Sequence, residues 1–387
     1  MSLQHRPATP TGRTTSLALA LLVLLSAAAG CRNQAGEGAT ARGGEYAIGV
    51  GLNPQRPGMH TIYRGVDLAV DQLNRERGGR GSRFTTRKTP ENVTGAIEVA
   101  TILRDDPTVV GVVGHPESGS TLDAAAIYED SERDGARAVV AISPTATSPA
   151  LSGWSRWVFR VCPTDIAASA AVARFALDSL GARRASIIYR NDPYGKDWTR
   201  AFGAVFRGGG GTVLHREPYL PNITEWNAYA AYIARLNPDV ILFPGSAEDA
   251  ELAIRALRAA GVRAPVLGGD AIAPLQMKAD EFAGVRFAAF FQPEAVSSDA
   301  GRAFVQAYRA KHGELPDQRA ALAYDAAMII GRAALAAKGD RHRIRDLIAA
   351  TGASGVGVHQ GATGRIAFDS RHDVIGKAVT IAEVVRR

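Results

Sequence analysis

The sequence contains only two cysteines, Cys31 and Cys162, in 387 residues, so a framework of several disulfides is excluded. Its eight histidines show no metal-ligand spacing such as His-Glu-x-x-His, and no Gly-x-Ser-x-Gly segment occurs. Gly49 and Gly51 are followed by Pro54 where a dinucleotide-binding fingerprint has its third glycine. We therefore expect no bound metal, no cofactor and no enzymatic activity.

Positively and negatively charged residues are spread along the chain, without a long run of either sign. Lys and Arg number 45 against 38 Asp and Glu, which gives a formal net charge of +7. No basic run is interleaved with aromatic residues, which argues against a nucleic-acid partner. Beyond the N-terminal segment, no apolar run reaches the roughly 18 residues of a membrane-spanning helix. The length is sufficient for two lobes with separate cores.

The first 30 residues have the pattern of a secretion signal. A weakly basic start precedes the apolar residues 17–25 and five small residues, and Cys31 follows. A cysteine at this place resembles the lipobox of bacterial lipoproteins, so we expect Cys31 to be lipidated; the alternative is an ordinary signal that happens to meet a cysteine. Residues 31–44 lack large apolar side chains and are expected to form a flexible tether. Cys162 would then be a free thiol that packs as a small hydrophobe.

From residue 45 onward, short β-rich runs alternate with segments of helical period. A strand at residues 46–52 and an amphipathic helix at residues 61–77 begin the series, which includes a predicted helix at residues 91–104 and predicted strands at 240–243 and 266–268. The alternation repeats after residue 160, which favours parallel sheets covered by right-handed crossovers. Two helical segments in succession, 300–311 and 319–338, are followed by late strands, which indicates that the chain recrosses between two lobes.

Four segments carry a family resemblance: GVDLAVDQLN at 65–74, VVGHPESGST at 112–121, ISPTATSPAL at 142–151 and YRNDPYGK at 189–196. In this order and spacing they resemble the branched-chain amino-acid-binding family of type I periplasmic binding proteins. The similarity extends from about residue 45 to residue 387.

The resemblance implies an α/β fold of two doubly wound parallel-sheet lobes joined by three crossovers, with a ligand in the cleft between them. Lobe I would comprise residues 45–161 with 297–350, and lobe II residues 162–296 with 351–387. The crossovers would lie near residues 161–164, 292–296 and 351–358.

In the first lobe, the candidate site residues follow two predicted strands. Ser118 would stand at a helix start, where free N–H groups and the helix dipole favour a ligand carboxylate; alternatively, it only caps the helix. Thr147 would offer its hydroxyl and N–H group to the same carboxylate, and Thr145 its carbonyl to the ligand ammonium. The alternative for residues 142–149, which contain both threonines, is a turn rich in proline, serine and threonine without a ligand role.

In the second lobe, Tyr194 resembles the family aromatic that packs over the ligand. Asp270 resembles the acid that pairs with the ligand amino group through a charge-assisted hydrogen bond. Ser246 is a weaker candidate for the same rim. The alternatives are an exposed turn aromatic for Tyr194 and a helix cap for Asp270.

The first cleft loop, residues 53–63, departs from the family pattern. Arg56, Met59 and His60 do not fit the family expectation at this loop. The pocket for the ligand side chain therefore need not be built for leucine, isoleucine or valine.

The resemblance implies an exported binding protein that is lipid-anchored at the periplasmic or extracytoplasmic face of a membrane. It would capture an amino acid or a similar small polar metabolite for an ABC permease. The alternative is a ligand-sensing receptor module of the same fold, which would report to another partner. A hydrolase using Ser118 is disfavoured because no general base stands at a diagnostic spacing.

Overall fold

The computed structural model describes residues 44–353 and 357–386, so the predicted secretion signal and Cys31 lie outside the described residues. Short strands alternate with helices over most of this length, as the sequence predicts. The strands are β1 (Glu45–Gly51), β2 (Arg83–Lys88), β3 (Val109–Gly114), β4 (Ala141–Ser143), β5 (Val158–Arg160), β6 (Arg184–Arg190), β7 (Thr212–Tyr219), β8 (Val240–Phe243), β9 (Val266–Gly268), β10 (Arg286–Ala289), β11 (His359–Gly361), β12 (Gly364–Ile366) and β13 (Thr380–Glu383). The α-helices are α1 (His60–Arg77), α2 (Ala96–Asp105), α3 (Ser118–Glu129), α4 (Asp165–Arg174), α5 (Pro193–Gly208), α6 (Asn227–Leu236), α7 (Ala247–Ala259), α8 (Ala279–Phe282), α9 (Asp299–His312), α10 (Gln318–Ala337) and α11 (Arg341–Ala349).

Five strands form the first sheet, in the order β2-β1-β3-β4-β5, and all neighbours are parallel. Strand β3, with the sequence VVGVVG, is buried over its whole length, as expected for a central parallel strand covered on both faces. Val110 belongs to the core cluster that contains residues of α1 and α10, whereas Val109 belongs to the cluster with α2 and α3. Helices therefore cover both faces of this sheet.

Six strands form the second sheet, in the order β13-β10-β9-β8-β6-β7. All of its pairs are parallel except the antiparallel pair of β10 and β13. Ile187 packs in the cluster that holds residues of α4 and α5, and the next residue, Ile188, packs in the cluster that holds α6 and α7. The predicted fold class, an α/β protein with two parallel-sheet lobes, is confirmed.

The chain passes between the two sheets three times. It leaves the first sheet after β5 and enters the second at β6; α10 then packs on β1 and β3, and β13 rejoins the second sheet. The third passage lies later than the predicted residues 351–358, because the β11–β12 hairpin is still attached to the first lobe. There the buried Asp325 carboxylate of α10 accepts a hydrogen bond from Ala362 N at 2.6 Å. Arg160 N, at the end of β5, still donates to His372 O at 3.3 Å. The other lobe boundaries stay a prediction.

Helix α10 is the central helix of the first lobe. It is long and apolar enough to cross a membrane, but 78% of its apolar window is buried inside the protein, as in the core helix of a globular fold. It packs closely along α1 at Gly65, where a Cβ atom would lie 2.2 Å from Ala320 O. This contact fixes the N-terminal end of α10, with Gln318 and Arg319, at the cleft between the lobes.

Candidate functional site

A cavity of about 320 Å³ lies between the two sheets, at the carboxyl ends of their parallel strands. Open α/β sheets bind ligands at this edge because strand-to-helix turns converge there. The structure brings five of the six predicted site residues to the cavity wall. The wall includes Arg56, Met59, Ser118, Thr145, Gln318 and Arg319 from the first lobe and its loops, and Arg190, Tyr194, Ser246 and Asp270 from the second.

Ser118 is the first residue of α3, and its hydroxyl accepts a hydrogen bond from Ser148 N at 3.1 Å. The residue that precedes the helix is Glu117, and its side chain makes no capping hydrogen bond. Ser118 is therefore not the cap of α3, which was the alternative to a ligand role. The first N–H groups of a helix lack partners within the helix, and here they belong to residues that line the cavity.

The second turn of the first lobe places its two threonines differently. Thr145 lines the cavity, and its hydroxyl donates to Pro116 O at 2.7 Å. Thr147 does not line the cavity: it is fully buried behind the wall, and its Oγ1 makes no well-formed hydrogen bond. A ligand contact by the Thr147 hydroxyl therefore stays a prediction that the cavity outline does not favour.

Tyr194 enters the cavity from the first turn of α5. Asp192 caps this helix by accepting from Gly195 N at 2.8 Å, and Pro193 follows the cap. A Cβ atom at Gly195 would lie 2.1 Å from Arg190 O, so the turn requires glycine. The Tyr194 ring is held beside Asp270, to which its hydroxyl donates at 3.3 Å. This side chain is therefore not an exposed turn aromatic.

Asp270 follows strand β9 and is 6% exposed, with its carboxylate at the cavity. Burial raises the pKa of Asp270 to about 7, although the positive charge of Arg319 acts to lower this pKa. Gln318 Nε2 donates to the backbone carbonyl of Asp270 at 3.0 Å and fixes its position. Among the described residues, the Tyr194 hydroxyl is the one hydrogen-bond donor to the Asp270 carboxylate, and it reaches Oδ1, so Oδ2 is left to receive a cationic group.

Ser246 lies at the cavity rim, but its hydroxyl is already engaged. It caps α7 by accepting from Asp249 N at 3.2 Å, and it donates to Asp249 Oδ2 at 2.9 Å. Its contribution to a ligand stays a prediction, and capping is the role that the contacts favour.

Two ion pairs and two side chains of α10 complete the wall, and sequence reasoning did not assign them. Arg56 pairs with Glu117, and Arg190 Nε lies 3.0 Å from Asp192 Oδ2. Gln318 and Arg319 reach the cavity from a helix that follows the other site residues in sequence. The departure from the family pattern at Arg56 was a sequence signal for this polar wall.

The lobes contact each other directly around the cavity. Ser148 of the first lobe donates to the carboxylate of Asp197 on α5. Phe290 N of the second lobe donates to Gln318 Oε1 at 3.0 Å, and Nε2 of the same Gln318 side chain donates to the backbone carbonyl of Asp270. These bonds join the two walls of the cleft.

Among residues 44–353 and 357–386, no group of three or more His, Cys, Asp or Glu side chains is placed to hold a metal ion. Cys162 is a buried free thiol whose Sγ contacts Ala146 O at 3.4 Å, as predicted for a packed cysteine. Burial raises the pKa of this thiol, so it is protonated and unreactive at neutral pH.

Asp165 is a fully buried carboxylate behind the cavity, at the start of α4, and neither oxygen makes a well-formed hydrogen bond. Burial raises its pKa well above the ordinary range, more than the nearby Thr147 hydroxyl lowers it. Because its pKa is higher in the folded than in the unfolded protein, folding binds a proton, and stability falls as pH rises above about 4.

We expect Asp165→Asn to raise the melting temperature at pH 8 by about 2 °C or more, since the amide needs no proton to be buried neutral. The gain should shrink at pH 5. Thermal unfolding of both proteins at the two pH values measures this. Asp178→Asn, at an exposed acid in the same segment, is the control and should change neither value. An equal gain at both pH values would contradict the assignment.

Comparison with known proteins agrees with this geometry. The profile of the periplasmic binding protein family matches residues 54–387. The chain is 24% identical to the Leu/Ile/Val-binding protein homolog 3 of Brucella melitensis over 65% of this chain and 67% of that protein, and 25% identical to an amino acid binding protein of Pseudomonas aeruginosa over 54% and 55%.

The chain is also similar to a branched-chain amino acid transporter substrate binding protein of Streptococcus pneumoniae, solved in complex with isoleucine. The TM-score is 0.77 at 24% identity, over 88% of this chain and 96% of that one. This likeness confirms the two-lobed fold. The family is one of binding proteins rather than enzymes, and its members act outside the cytoplasm. The chain belongs to the periplasmic binding protein family.

Proposed function

We propose that this protein captures an amino acid or a close relative in the cleft and delivers it to an ABC importer. One observation carries the proposal: the N-terminus of α3, at Ser118, and the buried carboxylate of Asp270 line one cavity from opposite lobes. They supply the two complementary charges that a zwitterion needs. The isoleucine bound by the S. pneumoniae relative supports this ligand class.

Each end of the ligand has a matching group. The α-carboxylate would lie at the N–H groups that begin α3 and at the Ser118 hydroxyl, where the helix dipole favours negative charge. The ammonium would bind the Asp270 carboxylate, with the Tyr194 ring beside it. Because these groups belong to different lobes, ligand binding stabilises the closed arrangement that a permease can recognise.

Attachment to a membrane through a lipid on Cys31 is part of the proposal, since it would keep the protein near its permease. Support comes only from the sequence pattern around Cys31. Mass spectrometry of the N-terminal peptide from the native host tests it. A mature N-terminus at Cys31 carrying acyl chains is expected, and an unmodified cysteine would refute the anchor.

Isothermal titration against a panel of amino acids, amides and small carboxylates tests the proposed function. The protein should first be unfolded and refolded to remove any co-purified ligand, which mass spectrometry would identify. Binding of at least one α-amino acid at micromolar affinity or better is expected. No heat from any member of the panel, with a folded protein, would reject the proposal.

The pKa of Asp270 predicts a specific pH dependence of binding. An ammonium ligand needs the ionised carboxylate, and with a pKa of about 7 this form is the minor one below neutrality. We expect affinity to be constant above about pH 8 and to fall by about tenfold for each unit below 7. Titrations between pH 5.5 and 8.5 measure this. The profile of Asp270→Asn should be flat over the same range, and an equal slope in that variant would assign the titration to another group.

A further inference from the structure

Of the three arginines that line the cavity, Arg319 is the one that forms no ion pair with a described residue. Arg56 is neutralised by Glu117, and Arg190 by Asp192. Arg319 lines the same cavity, yet it has no hydrogen bond and no carboxylate oxygen within 4.0 Å among the residues that the structure describes. It is half-buried at the start of α10.

The position of the Arg319 guanidinium is fixed by its surroundings. A Cβ atom at Gly58 would lie 2.5 Å from Arg319 Nη1, so the guanidinium lies against the first cleft loop. On the other side it is close enough to Asp270 to lower the pKa of that carboxyl, although the two do not form an ion pair. Arg319 thus stands beside the site proposed for the ligand ammonium, and on the opposite lobe.

A zwitterion with an uncharged side chain would not complete the charge balance of this cavity. Its carboxylate and ammonium match α3 and Asp270, and the half-buried guanidinium of Arg319 would remain without a carboxylate partner. An enclosed charge with no partner is unfavourable, because it loses hydration and gains no ion pair in return. A ligand with a second anionic group removes this penalty.

The wall also offers little surface to an aliphatic side chain. Beside the Tyr194 ring, its apolar members are three prolines, Met59 and Ala271, and among the described residues no leucine, isoleucine, valine or phenylalanine lines it. The remaining acids of the wall, Asp123 and Glu248, are exposed at the rim, where solvent screens them. Apart from Asp270, the unpaired charge of the wall that is not exposed is therefore the positive one of Arg319.

We propose that the ligand is an amino acid with an anionic side chain, and that Arg319 selects it by binding the side-chain carboxylate. This inference rests on the proposed function, because it uses the same cleft and the same zwitterion contacts. A guanidinium binds a carboxylate with two parallel hydrogen bonds, which gives geometric selectivity as well as attraction.

Matched acid and amide ligands test the proposal at pH 8, where Asp270 is ionised. L-glutamate is compared with L-glutamine, and L-aspartate with L-asparagine, by isothermal titration of refolded protein. At least one acid should bind about tenfold or more tightly than its amide. In Arg319→Met this ratio should fall to about one. Arg332→Met, on the same helix and outside this cavity, should keep the wild-type ratio, and circular dichroism checks that both variants are folded.

The possible results distinguish a failure of the role proposed for Arg319 from a failure of the proposed function. Preference for an amide or for leucine in the wild-type protein would overturn the role of Arg319 and leave the proposed function intact. An acid preference that persists unchanged in folded Arg319→Met would also overturn it. If no amino acid of either charge binds, the proposed function itself fails.

Discussion

Asp270→Ala is expected to weaken binding of a zwitterionic amino acid by about 2 kcal/mol or more, which is about 30-fold in dissociation constant. The reason is that, among the described residues, no second buried acid lines the cavity to receive the ammonium. Asp123 and Glu248 are exposed at the rim, and Glu117 and Asp192 are half-buried and paired with arginines. The ligand would then lose its hydration without gaining an ion pair. Titration at pH 8, where the wild-type carboxylate is ionised, gives the full effect.

Two variants show whether the loss comes from the carboxylate itself. Asp270→Asn keeps the shape of the side chain and removes its charge, so it should lose nearly as much affinity as the alanine variant. Asp280→Ala removes an exposed acid from helix α8, outside the cavity, and should leave affinity unchanged. Wild-type affinity in Asp270→Ala would show that the ammonium binds elsewhere.

Much of the fold could be predicted because local pattern and tertiary environment agree. Strands β8 and β9 lie where they were predicted, since each is a short apolar run buried on both faces. The exceptions have local causes. Helix α2 begins at Ala96 rather than at residue 91, because Gly95 before it is extended. Strand β5 was missed because its three residues, which end in a buried arginine, carry no strand period.

The candidate site was predictable only in part. Residues that follow a strand closely in the sequence were found, and residues brought to the cavity by helix packing were not. Ser118, Tyr194 and Asp270 follow strands directly, so the parallel sheets alone bring them to one edge. Arg319 reaches the cavity only because α10 docks on α1, a tertiary contact that no local pattern encodes. Arg341 shows the same limit, because nothing in its local sequence reveals that the side chain is buried and donates to four backbone carbonyls.

The packing of α10 on α1 leads to the second large expected effect, in Gly65→Ala. The added methyl would lie 2.2 Å from Ala320 O, and a backbone carbonyl inside a helix cannot move away as a flexible side chain can. We expect the free energy of unfolding to fall by about 3 kcal/mol and the melting temperature by about 4 °C. Thermal unfolding followed by circular dichroism measures this.

The same substitution should also weaken ligand binding, because Ala320 is the neighbour of Arg319 and the helix must shift to relieve the clash. Gly208→Ala is the matched control: Gly208 is also helical, and a Cβ atom there meets nothing within 4 Å. It should be neutral or slightly stabilising, since alanine favours the helix over glycine by about 0.5–1 kcal/mol. If Gly65→Ala melted like Gly208→Ala, α10 would not be held against α1 at this point, and the placement of Arg319 in the cleft would lose its structural basis.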